Sequence, residues 1–66
     1  MSRETDIKDL SLRILDSLAE AGEENGMARA LLSLIGPTEE ELETAVRQIY
    51  AERPDLQKVF DPQEAA

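Results

Sequence analysis

Catalysis starts from a nucleophile beside a base, from paired carboxylates in a cleft, or from a bound metal. This chain of 66 residues holds few parts for any of these. It has no Cys and no His. That removes the thiolate nucleophile, the general base that titrates near neutrality, and the usual zinc ligands. The remaining reactive groups are carboxylates, Lys, Ser, Thr and one Tyr. The densest set is Glu39, Glu40, Glu41 and Glu43. Glu39 and Glu40 each pair with Glu43 along one helical face, but on an exposed helix they are solvated acids. No calcium-loop, phosphate-loop or dinucleotide fingerprint occurs. The expected reading is a protein without catalytic residues, cofactor or metal, whose chemistry is that of a surface.

The balance of charge limits which surface that is. Fifteen acidic residues stand against seven basic ones, a net charge of −8. Such a chain is repelled by phosphate backbones and anionic lipid. The second and third expected helices, joined at Gly36–Pro37–Thr38, are spaced like a helix-turn-helix. The residues that would face DNA are Glu39, Glu40, Glu41 and Glu43, with no Lys or Arg cluster beside them, so nucleic acid is not the expected partner. Asp16–Ser17–Leu18 resembles the tripeptide that carries the prosthetic group in acyl carrier proteins, which are also small, acidic and helical. Those carriers place a full helix and a long loop before the serine. Here Ser17 falls inside an expected helix and reads as an exposed helical serine.

The elements that position these residues are all helical. Leu, Ile and Ala dominate the apolar set, aromatics are limited to Tyr50 and Phe60, and no stretch alternates as a strand would. A first helix is expected over Ile7 to Ala21, capped by Thr5 or Asp6 and stopped by Gly22. A second spans Met27 to Ile35, with Asn25 or Gly26 before it and Gly36–Pro37 after it. The third has the clearest start, a capping box of Thr38 and Glu41, and runs to Glu52 or Arg53 before Pro54. Asp55 is expected to cap a short fourth helix whose Leu56, Val59 and Phe60 fold back as a lid. The pairs Glu4–Lys8, Asp9–Arg13 and Glu43–Arg47 have favourable i,i+4 spacing. The domain is thus all-α, a three-helix bundle with a short C-terminal fourth helix. Its ordered core is expected over about residues 6–60, with flexible tails at 1–4 and 62–66. The first residues lack a signal-peptide core and no apolar run could span a bilayer, which points to a cytoplasmic protein without a membrane partner.

The apolar surface looks too large for this bundle. On the third helix Leu42, Ala45, Val46, Ile49 and Tyr50 cover an arc of roughly 140°, enough for one core. On the first, Leu12, Leu15 and Ala19 widen the stripe of Ile7, Leu10, Ile14 and Leu18 to roughly 200°. The second covers a similar arc, from Ala30 through Leu34, Met27, Leu31 and Ile35 to Leu32. Two outcomes compete: a compact monomer in which the fourth helix covers the surplus, or an intermolecular face on Leu12, Leu15, Ala19, Ala28 and Leu32. The second is the preferred expectation. It describes a small acidic interaction module, an adaptor, regulator or accessory subunit, that binds itself as a homodimer or binds another protein. An acidic, nucleic-acid-mimicking inhibitor presenting Glu39, Glu40 and Glu43 to a basic target is the alternative, and a helix-turn-helix DNA-binding protein is the less favoured one. Arg29 is expected at the solvent edge of the second helix, and Tyr50 in the core with its hydroxyl outward.

Overall fold

The helix boundaries follow from residues that satisfy the orphan N–H and C=O groups at each end. A computed structural model describes residues 2–62. Among them are four helices and no strand: α1 (Arg3–Ala21), α2 (Gly26–Ile35), α3 (Glu39–Glu52) and α4 (Pro54–Phe60). The Thr38–Glu41 capping box forms in full, and Asn25 caps α2 by accepting from the Ala28 N–H. Gly22 and Gly36 end α1 and α2 in the left-handed conformation, at φ of 68° and 67°, where a Cβ would be strained. The asymmetric extents, 37 × 25 × 18 Å, describe a flattened bundle. No helix among the described residues is long and apolar enough to cross a membrane.

Three local expectations need correction. α1 starts at Arg3, four residues early, because Ser2 accepts from the Thr5 N–H and takes the cap position assigned to Thr5 or Asp6. Arg3 and Glu4, placed in a flexible tail, are therefore helical. The tail expected from Gln63 onward lies outside the described residues, as does Met1. α4 has no side-chain cap; Pro54 supplies its first turn, where a missing N–H costs nothing, and Asp55 instead accepts from the Arg53 guanidinium at 2.9 and 3.1 Å. Finally, Lys8 pairs with Glu52 of α3 rather than Glu4, while Asp9–Arg13 and Glu43–Arg47 form as spaced, at 3.3 and 2.8 Å.

Tertiary packing centres on α1, which packs against α2, α3 and α4; α3 also packs on α4. The most completely buried side chains are Ile7, Ile49 and Leu56, each about 1% exposed. They come from α1, α3 and α4, the three helices that meet one another. Leu10, Ala28, Ala45 and the small Ser11 complete the buried set. Ser11 Oγ is buried with no hydrogen-bond partner among the described residues. The lid is only partly right: Leu56 is buried, but Val59 and Phe60 remain exposed.

Arg3 fastens the N-terminus of α1 to the turn between α2 and α3. Its Nε and Nη2 donate to the two carboxylate oxygens of Glu41 at 2.8 and 3.0 Å. Nη1 and Nη2 also donate to the carbonyls of Ile35 and Gly36, both at 3.1 Å. The Arg3 hydrogen bond first, and the Thr38 backbone N–H second, hold the Glu41 carboxyl down at about 2 against an ordinary 4.5. A depressed acid stabilises the folded state above its unfolded value, and that contribution is lost as pH falls through the folded one. The difference in thermal midpoint between wild type and Arg3→Gln should therefore be full at pH 7. It should shrink as pH falls from about 4.5 to about 2. Melts followed by circular dichroism check this; a difference independent of pH would mean that Arg3 acts through its carbonyl hydrogen bonds and packing and not through Glu41.

Candidate protein interface

The helix with the most apolar sequence has the fewest neighbours. α2 packs against α1 alone and makes no close backbone contact with α3 or α4. Its wide apolar arc is therefore split in two. The half carrying Ala28, Leu32 and Ile35 is buried or half-buried. The other half carries Met27, Leu31 and Leu34, which are 76%, 44% and 83% exposed, with exposed Ala30 beside them. Positions 27, 31 and 34 fall one turn apart on a single face. A groove beside this stripe is floored by Leu10, Leu31, Leu34 and Ile35, with Asp6, Asp9 and Arg13 at its rim.

Each residue expected at an interface now has a place. Ala28 is buried, so it belongs to the core and offers no exposed contact. Leu12, Leu15 and Leu32 are half-buried, and Ala19 is exposed. The wide arc of the first helix is covered in part, because α1 has three helices to pack against. The surplus stays on α2, and α4 does not cover it. Met27, Leu31 and Leu34 belonged to the arc in the sequence, but their outward direction is fixed by which face of α2 meets α1, and helical periodicity alone does not carry that. Ten residues are also fewer than an isolated helix needs in water, about 12–15. α2 thus depends on packing, and only one of its faces receives it here.

The electrostatics divide the surface further. α2 alone among these four helices contains no Asp or Glu. Its single charge, Arg29, is exposed and pairs with Glu24. The acids gather elsewhere. Glu39 and Glu40 are exposed at the start of α3 and have no ion pair among the described residues, whereas Glu43 pairs with Arg47. A second groove, between α1 and α3, brings Glu4, Glu40, Glu41 and Glu43, with Arg47, around Ile7 and Thr44. Among the described residues no three Asp or Glu are grouped so as to hold a metal ion.

The remaining candidates have structural roles. Ser17 lies within α1 and donates to the Glu23 carbonyl at 2.8 Å, bracing the turn that follows. Tyr50 is half-buried on α3, and burial, then the Asp61 carboxylate, raise its pKa. Asp16 accepts from Arg53 at 3.2 Å, tying α1 to the joint between α3 and α4. The backbones of α2 and α3 do not approach each other closely, although Leu32 and Ser33 of α2 line one groove with Leu42 of α3. Comparison with protein-family models, with curated proteins and with solved structures finds no match.

Proposed function

We propose that this chain is a protein–protein interaction module, an adaptor, regulator or accessory subunit, that associates with itself as a homodimer through the outer face of α2. The observation that supports it is the stripe of Met27, Leu31 and Leu34 on the one helix packed from a single side. Contiguous exposed apolar residues rimmed by polar ones are the usual mark of a binding face. The face expected from sequence thus moves from Leu12, Leu15, Ala19, Ala28 and Leu32 to the opposite half of the α2 arc. Light scattering over a range of concentrations tests the reading. The expected mass is twice the 7.3 kDa of one chain, and the dimer should tighten with added salt, because screening relieves repulsion between two chains of −8. A mass of one chain at every concentration would overturn it.

The exposed, unpaired Glu39 and Glu40 favour a second reading, an acidic inhibitor that occupies the binding surface of a basic target. There the salt response is reversed. Binding to such a target weakens with salt and with Glu39→Gln, Glu40→Gln and Glu43→Gln combined, changes that leave self-association through α2 in place.

A further inference from the structure

We infer that the outer face of α2 is occupied by the same face of a second copy, the two helices running antiparallel across a two-fold axis at Leu31. This rests on the homodimer reading above and fixes its geometry.

Three observations select the occupant. The first is charge. A chain of −8 meets a copy of itself at least cost across its least acidic face; α2 has no acid of its own, and Asp6 and Asp9 of α1 stand beside it with Arg13 at the groove rim. A basic partner would find only Asp6 and Asp9 there, beside Arg13, and a denser set of carboxylates at the start of α3. The second is spacing. Met27 lies four residues before Leu31 and Leu34 three after it, so reversing the helix about Leu31 superposes the stripe nearly on itself. Leu31 then meets its symmetry mate, and Met27 meets Leu34 of the other copy, the self-complementarity that an isologous interface requires. Parallel helices would instead stack their aligned dipoles, whereas antiparallel ones oppose them. The third is relief. Among the described residues the stripe is unpartnered, α4 being committed to α1 and α3.

Because the chain has no Cys, single cysteines report the arrangement without background. Disulfide formation needs Cβ atoms about 3.5–4.5 Å apart, which the two-fold axis supplies between identical residues at one position only. Leu31→Cys should oxidise to a covalent dimer. Met27→Cys and Leu34→Cys should each stay largely unlinked alone and link to one another when mixed. All three positions are exposed, so helicity by circular dichroism should match the wild type. Self-linkage of Met27→Cys and of Leu34→Cys, with none between them, would establish parallel helices and overturn the arrangement. A dimer by light scattering in which Leu31→Cys fails to link would place the axis elsewhere, overturning this inference and leaving the homodimer reading intact. A single-chain mass would overturn both.

Discussion

Ile49→Ala should remove most of the cooperative stability of this protein. Ile49 is about 1% exposed, on the helix that packs against both α1 and α4. Truncating a buried Ile to Ala loses its transfer free energy and leaves a cavity, together about 2–5 kcal/mol. A chain of this length has about 3–10 kcal/mol in total. The variant should therefore populate unfolded chains at 25 °C, or melt tens of degrees lower, since each kcal/mol moves the midpoint of so small a domain by about 4–8 °C. There is no disulfide to limit the loss. Val59, exposed on α4, supplies the comparison: Val59→Ala should change stability by no more than about 0.5 kcal/mol. Urea titration at fixed concentration checks both. An unchanged midpoint for Ile49→Ala would mean that the core is not where α1, α3 and α4 meet.

The contrast between these positions shows what could be read before the fold was known. Helix ends were legible because their determinants are local. Thr38 and Glu41 satisfy each other's backbone within one turn, and Gly22 and Gly36 provide a conformation that other residues adopt at a cost. The start of α1 was not legible in the same way. Ser2 offers a cap as good as Thr5 or Asp6, and the register is completed by Arg3 reaching Glu41, 38 residues away. Surface that must be buried was visible as arcs on α1 and α2, but a helical wheel gives the width of an arc and not the number of neighbours that cover it. α1 has three and uses its width. α2 has one and does not. The location of the candidate face is therefore a property of the tertiary arrangement, even though every residue in it was identifiable as apolar in advance.

Met27→Glu should separate folding from association, with opposite signs. Met27 is the second residue of α2 and 76% exposed. The first turn of α2 contains no acid, so a carboxylate there meets the positive end of the helix dipole and should stabilise the folded chain by about 0.3–1 kcal/mol. In the proposed dimer the same side chain would lie against Leu34 of the other copy. Burying a Met is worth about 1.5–3 kcal/mol, and the two-fold axis counts the substitution twice, giving a loss of about 3–6 kcal/mol before any cost of burying the charge. The dissociation constant should rise by about 10²- to 10⁴-fold. Sedimentation equilibrium should then show single chains at concentrations where the wild type is expected to form the proposed dimer, while melts at high dilution show a midpoint equal to or above the wild type's. Few substitutions discriminate so directly. A residue of the monomer core would lose stability together with assembly, and a residue remote from any interface would lose neither. Retention of the dimer in Met27→Glu would remove the outer face of α2 as the contact and leave the half-buried Leu12 and Leu15 and the exposed Ala19 of α1 as the surface to substitute next.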